Sequence, residues 1–170
     1  MKKALAVSVV IVFGLVSFVT IAGSRPESRT AFGRHNVDVF FTRDASLDGS
    51  CTRTRGHERR TIGEDVLHDS MNWLLRGPRA GEKKRGAASM FSSRTAGMVN
   101  SVRIKDGTAR IDFDDFRKKI PGASSSCGSA SLLAELNRTA KQFSSVDRAV
   151  YSFEGSKKAF YNWLQMEPPA

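Results

Sequence analysis

Three aspartates, Asp112, Asp114 and Asp115, form the densest acidic cluster of the sequence. In an extended strand Asp112 and Asp114 share one face, because side chains two residues apart point the same way. Two neighbouring carboxylates can act as a general acid and base or hold a cation. A solvated strand end, with Asp114 or Asp115 capping a turn at Phe116, explains the same residues without catalysis. The second interpretation is favoured, since no partner group accompanies the cluster.

No other constellation of reactive side chains stands out in the sequence. The three histidines, His35, His57 and His68, are too dispersed for a metal-ligand pattern, and His68 is expected to face solvent. The sequence contains no glycine-rich phosphate loop. Helix capping explains the serine runs at 124–126 and 144–145 better than nucleophilic catalysis does. These observations predict neither a metal nor a cofactor.

The N-terminal segment indicates where the protein works. Lys2 and Lys3 precede an apolar run over residues 4–22, which is typical of a chain that enters the export machinery. The run approaches the length needed to span a membrane, so we expect an uncleaved anchor over residues 1–24, with signal-peptide cleavage near Ser24 as the alternative. The rest of the chain is then extracytoplasmic, which argues against nucleic acid as its partner.

Two cysteines, Cys51 and Cys127, occur in this exported chain. A pair of cysteines outside the cytoplasm usually forms one disulfide. It would close a loop for which chain entropy gives roughly 4.5 kcal/mol of stabilisation. Two buried free thiols are the first alternative, and a Cys127 nucleophile at a helix start is the second. We expect the disulfide, on the basis of the compartment.

The charge of the sequence is strongly positive, with 27 lysines and arginines against 17 acidic residues and a net charge of +10. A basic surface attracts anionic phospholipid heads or anionic wall polymers. The alternative is an ordinary solvated surface. The densest basic stretch is expected to form a mobile loop with only Glu82 opposing it, and it consists of Arg76, Arg79, Lys83, Lys84, Arg85 and Arg94.

Hydrophobic periodicity predicts the elements that position these groups. Apolar residues alternate over Val37–Phe41, which indicates a strand, and recur at helical spacing over Glu64–Leu75, where Gly77-Pro78 ends the helix. The polar passage 42–61 has room for a short edge strand near Cys51, and 79–97 is expected to form a long loop with at most one irregular turn. The Asp106-Gly107 dipeptide predicts a hairpin between strands 99–105 and 108–113, with Val102 and Ile104 on the core face. The remaining predicted elements are a helix over 129–143, a strand over 148–153 and a short helix carrying Phe160, Trp163 and Leu164.

This order predicts an α+β fold. We expect a two-layer sandwich: a small mixed sheet, two long helices on one face and a short C-terminal helix. The predicted organisation has four parts. A membrane anchor or signal peptide spans 1–24, a linker 25–36, the folded domain 37–165 and a tail 166–170.

Several segments together resemble the GerMN domain family. They are Val37–Phe41, Leu74–Pro78, Ser101–Ile104, Asp106–Phe113, Thr139–Phe143 and Val146–Val150. The resemblance covers roughly 37–155. It implies a fold akin to the ring-building motif, attachment outside a bacterial membrane, and no established catalytic residues. It further implies a single-domain envelope member, possessing a disulfide at Cys127 and linked to sporulation, germination or wall processes.

The function expected from these observations is non-enzymatic binding or scaffolding in the cell envelope. The partners expected are the membrane, through the N-terminal segment, and envelope proteins, anionic wall polymer or lipid. The alternative function is an enzyme or modulator of wall metabolism that uses the cluster Asp112–Asp115.

Overall fold

The structure, a computed structural model, describes residues 33–43 and 50–169. The expected anchor over 1–24 and residues 25–32 of the expected linker lie outside the described residues. Residues 34–36 are strand rather than linker, because the first strand begins at Arg34 instead of Val37. Within the described part of the chain, no helix has both the length and the apolar composition that crossing a membrane requires.

The first sheet contains three strands in the order β2-β1-β3. Strand β1 (Arg34–Arg43) pairs antiparallel with β2 (Thr54–Ile62) along its whole length, and with β3 (Ala87–Ala88) at its end. The short edge strand expected near Cys51 is therefore a full-length strand that begins at Thr54. Strand β2 is nine residues long, but it escapes recognition because its inward positions carry polar side chains, including buried Arg59 and Thr61.

The second sheet has the order β4-β5-β6. Strands β4 (Val99–Lys105) and β5 (Thr108–Phe113) form the predicted antiparallel hairpin, and β6 (Arg148–Phe153) joins β5 in parallel. Both turn residues, Asp106 and Gly107, have positive φ angles, as a two-residue hairpin turn requires. Ile104 does not enter the core as predicted, since it is 43% exposed on the edge strand.

Four α-helices and two short 3₁₀ helices, Arg117–Lys119 and Pro121–Ser124, complete the described fold, and α+β as the fold class is confirmed. The α-helices are α1 (Val66–Leu75), α2 (Ala80–Lys84), α3 (Ser126–Ala140) and α4 (Lys157–Trp163). Helix α1 packs against α3 and against strands of both sheets. The small mixed sheet predicted is β4-β5-β6, but it does not contain all the strands, because β1, β2 and β3 form a separate sheet.

Helix α3 and the turn after it cover the edge of β1 with side chains instead of a strand. The backbone N–H groups of three alternate residues, Asp38, Phe40 and Thr42, each donate to a side chain from this region. Their acceptors are Gln142 Oε1 at 2.9 Å, Thr139 Oγ1 at 3.1 Å and Glu135 Oε1 at 2.9 Å. The strand donors are thus satisfied without exposing an edge that could pair with another chain.

The apolar core lies between these elements, and it is rich in aromatic rings. Phe113, Phe116, Tyr151, Phe153 and Phe160 are at most 2% exposed. Phe116 contacts Phe153 edge to face, with ring centroids 4.9 Å apart. This arrangement fixes β5, β6 and α4 relative to one another.

Candidate functional site

The aspartate cluster does not form a facing carboxylate pair. Asp112 is the only one of the three within β5, because the strand ends at Phe113. Its Oδ1 accepts hydrogen bonds from the Ser152 hydroxyl and, at 2.7 Å, from the Gly155 N–H. Asp112 therefore fastens the turn between β6 and α4. The predicted shared strand face of Asp112 and Asp114 is wrong.

Asp115 is occupied by its own turn. Its carboxylate accepts from the backbone N–H of Arg117 at 3.0 Å and from the Arg117 guanidinium at 2.7 Å. Hydrogen bonding from that guanidinium holds the pKa of Asp115 below its ordinary value, and raises the pKa of Arg117. An ionised carboxylate in an ion pair suits turn capping and not proton transfer.

The predicted basic stretch is folded, so a mobile loop over 79–97 is wrong. Helix α2 begins directly after Pro78 and Arg79, and it positions the exposed side chains of Lys83 and Lys84. The six basic residues do not form one patch. Arg76 and Arg79 lie against Trp73, whereas Lys83 and Arg94 line a separate groove together with Lys119.

Glu82 explains why this stretch is helical. It is buried, and its carboxylate receives a two-pronged contact from Arg59 of β2, at 2.7 and 2.8 Å. It also accepts from the Arg79 N–H at 2.7 Å, which caps the start of α2. Burial alone would raise the pKa of Glu82, but these hydrogen bonds lower it to about 2. Glu82 is thus a structural anchor, and it does not neutralise the exposed cations as the sequence suggests.

His57 lies beside this ion pair. Its Nδ1 is 3.5 Å from Glu82 Oε1, and its ring contacts that of Phe41 at a centroid distance of 5.5 Å. Burial lowers the pKa of His57, and Arg59 adds to that effect while Glu82 opposes it. The imidazole is therefore neutral at neutral pH and packs as part of the wall between β2 and α2.

A groove with groups suited to binding lies between the end of β2, helix α1 and the start of β4. This Trp73 groove has a volume of about 580 Å³. Its lining includes Arg60, Ile62, His68, Asp69, Trp73 and Arg76, so two cations share the groove with one carboxylate. His68 is half-buried in this wall, where its Nδ1 is 3.3 Å from Asn72 Nδ2, so the expectation of a solvent-facing histidine is only partly met.

Two guanidinium groups flank the aromatic ring of the groove. The Arg76 guanidinium carbon lies 4.6 Å from the Trp73 ring centroid, and that of Arg79 lies 5.7 Å away. A guanidinium held over an indole keeps its N–H edges free, and those edges match the two oxygens of a carboxylate or phosphate. Ile62, which is 62% exposed, adds an apolar surface beside these cations. The groove can therefore bind an anionic group attached to a less polar body.

Cys51 and Cys127 are joined in a disulfide, the pairing that the sequence predicts. Their Cα atoms are 5.4 Å apart, and the bond links residues 76 positions apart. Ser131 of α3 also donates to the Cys51 carbonyl at 2.7 Å. The bond ties the segment before β2 to the first turn of α3. Because both sulfurs are in the bond, Cys127 is not a nucleophile here.

Two residues that shape this domain escape prediction from sequence. Glu82 follows the Gly77-Pro78 stop at a spacing typical of the first turn of a new helix, which is a usable signal for α2. Glu135 falls between Leu132 and Leu136 on the apolar side of α3, and a charge at such a position indicates a buried partner. The groove itself has no sequence signal, because its walls come from separate elements.

The chain is similar to one protein family and to solved structures of its members. A family model described as Germane, sporulation and spore germination, matches residues 38–159. The chain is similar to the tandem GerMN domains of the sporulation protein GerM from Bacillus subtilis, at 18% identity and a TM-score of 0.49. That alignment covers 72% of this chain and 40% of the tandem-domain chain, so this chain spans less than half of it.

Two further solved structures are similar at comparable levels. The first GerMN domain of the same protein shows 19% identity and a TM-score of 0.48, over 72% of this chain and 84% of that domain. A candidate lipoprotein from Clostridium perfringens shows 18% identity and a TM-score of 0.42, over 73% and 77% of the two chains. Among curated proteins none matches. Since the family model spans well over half of the sequence, the chain belongs to the Germane family of sporulation and spore germination domains.

Proposed function

We propose that this protein is a non-enzymatic binding and scaffolding domain that works outside the membrane in the bacterial cell envelope. Its family membership supports a role connected with sporulation or germination, or with related processes of the cell wall. The apolar run over residues 4–22 supports export, with the chain either anchored or secreted. The net charge of +10 favours partners that carry negative charge.

The observation that carries the proposal is the pair of arginines over Trp73. Arg76 and Arg79 are both exposed, and neither guanidinium group has a carboxylate within 4.0 Å among the described residues. Their guanidinium groups are held by the indole rather than by a counter-ion. They therefore present donor edges to the solvent at the rim of the Trp73 groove. An anionic group of a wall polymer or a lipid head fits this arrangement.

An enzymatic function has less support from the same structure. The carboxylate of Asp112 accepts hydrogen bonds from Ser152 and Gly155, and that of Asp115 accepts from Arg117. No pair of carboxylates in the described residues of this cluster faces a shared cavity in the way that acid and base catalysis needs. We infer that the cluster holds turns in place.

Binding of the full-length chain to envelope material tests this proposal. The protein is mixed with purified wall fragments and, separately, with vesicles of anionic or neutral lipid, and the bound fraction is measured by sedimentation at rising salt. The double variant Arg76→Gln/Arg79→Gln should bind roughly 30-fold more weakly, since each cation near an anionic surface contributes about 1 kcal/mol. Lys118→Gln/Lys141→Gln is the matched control, because these exposed lysines are not among the residues that line the groove.

The results with wall fragments, vesicles and the control variant identify the kind of ligand. Retention on wall fragments alone identifies a polymer, and retention on anionic vesicles alone identifies a lipid head. Equal loss in the control variant would show that general charge and not the groove is responsible. Turnover of wall-derived substrates that disappears in Asp112→Asn, with folding retained, would contradict the non-enzymatic assignment.

A further inference from the structure

One face of the second sheet carries a second group of cations, unrelated to the Trp73 groove. Arg103 of β4 lies directly opposite Arg110 of β5 in the strand register. Two residues further along the strands, on the same face of the sheet, Lys105 of β4 pairs with Thr108 of β5. Thr108 pairs in turn with Arg148 of β6. All four cationic side chains, Arg103, Lys105, Arg110 and Arg148, are exposed, and they define the arginine face.

The two central arginines have no acidic partner. Within residues 33–43 and 50–169, no carboxylate lies within 4.0 Å of the Arg103 or Arg110 guanidinium. Asp112 occupies the adjacent row of the same face, opposite Ser101, but its oxygens accept from Ser152, Gly155 and Asn100. Like charges directly opposite each other on a sheet are destabilising. An anion placed between them would remove that repulsion.

The space beside these arginines is concave. A cavity of about 470 Å³ has a lining that includes Ser101, Arg103, Arg110, Asp112, Val150 and Lys157. Val150 is only 6% exposed, so long cationic side chains surround a small apolar floor. Lys157 is held in place by donating to the Pro169 carbonyl at 2.8 Å. Three cations, those of Arg103, Arg110 and Lys157, thus line the cavity against one carboxylate, that of Asp112, which accepts from Ser152 and Gly155.

We propose that the arginine face binds a phosphodiester-linked polymer. One phosphate lies between Arg103 and Arg110, each of which can donate two N–H groups to its oxygens. The next phosphate reaches Lys105 and Arg148, because residues two apart on a strand are separated by about 7 Å. This site goes beyond the proposed function, since it uses none of the residues of the Trp73 groove.

A polymer fits this face better than a membrane does. The exposed large apolar residues of the described chain are Ile62, Ile104 and Met166. Ile104 pairs with Ala109, a core residue, so its side chain belongs to the opposite side of the second sheet. Membrane-binding surfaces usually combine cations with apolar side chains that enter the lipid. The arginine face offers cations around a recess, with no large apolar side chain to insert.

Titration of the full-length chain with synthetic poly(glycerol phosphate) tests this inference. Binding is measured by the anisotropy of labelled polymer, for the unaltered chain, for Arg103→Gln/Arg110→Gln and for the control Lys118→Gln/Lys141→Gln. The arginine variant should bind at least about tenfold more weakly, because it loses charge-assisted hydrogen bonds that the control keeps. It should also show a shallower dependence of affinity on salt. Its melting temperature should be unchanged or higher, since opposed like charges are removed.

Further arms separate this site from its alternatives. Polyglutamate of similar length should bind more weakly than poly(glycerol phosphate), and equal binding would overturn phosphate recognition. Binding to anionic vesicles that depends on Arg103 and Arg110 as strongly as polymer binding does would overturn the choice of partner. Unchanged polymer affinity in the Arg103→Gln/Arg110→Gln variant would overturn the site. If Arg76→Gln/Arg79→Gln alone abolishes polymer binding, the proposed function stands and this inference fails.

Discussion

Replacing Glu135 by glutamine should remove a loss in the free energy of unfolding that the domain undergoes as the pH rises. Glu135 is 1% exposed, and its oxygens contact three groups: the Thr42 N–H at 2.9 Å, Thr42 Oγ1 at 2.8 Å and Ser89 Oγ at 2.6 Å. The single hydroxyl hydrogen of Thr42 also has the Ala88 carbonyl as an acceptor at 2.9 Å. The Thr42 hydroxyl cannot donate to Glu135 and to Ala88 at once. A protonated Glu135 removes this competition, because its carboxyl hydrogen can be donated to Thr42 Oγ1 or to Ser89 Oγ.

The size of this change in stability follows from the raised pKa of Glu135. Burial, opposed by the hydrogen bonds from Ser89 and Thr42, raises the pKa of Glu135 from 4.5 to about 7. The folded state therefore keeps a proton that the unfolded state loses. The favourable contribution is fully present below pH 4.5, and it is lost as the pH rises to 7. A difference of this size corresponds to a loss of roughly 3 kcal/mol in the free energy of unfolding across that interval.

Denaturant unfolding of the two chains between about pH 4 and pH 8 measures this effect. The glutamine side chain of the Glu135→Gln variant keeps an oxygen for the Thr42 N–H and an amide for Ser89, yet it does not ionise. The variant should equal the unaltered chain near pH 4, and exceed it by up to about 3 kcal/mol at pH 8. Glu135→Ala should instead be destabilised by about 2–4 kcal/mol at every pH, because it leaves buried donors without an acceptor. A stability difference between the Glu and Gln chains that is constant with pH would refute the reasoning.

Two other predictions follow from the structure. Glu82→Gln should destabilise the fold by about 3–5 kcal/mol at pH 7, because it leaves the buried Arg59 without its counter-charge. This difference should shrink as the pH falls from 4.5 toward 2, because Glu82 stabilises the fold only while it is ionised and its pKa is lowered to about 2. Equal stability of the two chains in thermal unfolding at pH 7 would contradict this prediction. Cys51→Ser/Cys127→Ser should lower the melting temperature by roughly 10–20 °C, from the ~4.5 kcal/mol that chain entropy assigns to a loop of this length; calorimetry that finds the same melting temperature with and without the bond would argue against a stabilising disulfide.

The elements that sequence predicts well are those with local signals. The Asp106-Gly107 turn needs two consecutive positive φ angles, and this dipeptide is among the few that adopt them readily. Strand β6 coincides with its predicted range of 148–153, because its apolar run is bounded by polar turns. Helices α1 and α3 appear within three residues of the expected limits, as their apolar stripes require.

The errors concern features that depend on distant partners. Strand β2 presents Arg59 to the interior, and its charge is matched only by Glu82, 23 residues later in the sequence. Local periodicity cannot report such a pairing, so β2 and α2 resemble loops. The division into two sheets depends on β6 joining β5 and on α3 covering β1 with side chains, and neither arrangement has a local pattern. For the same reason the six predicted cations divide among separate surfaces.

The central claim, that the Trp73 groove binds an anionic envelope ligand, is tested most directly by the emission of Trp73 itself. The sequence contains two tryptophans, and Trp163 packs on Phe153 and Phe116 in the aromatic core. A full-length Trp163→Phe chain therefore reports the groove alone. Titration with purified anionic wall polymer should give a saturable change in emission that salt reverses and Arg76→Gln/Arg79→Gln weakens by more than about tenfold. An emission that stays constant, or that changes equally with an uncharged polymer, would contradict the assignment of this groove.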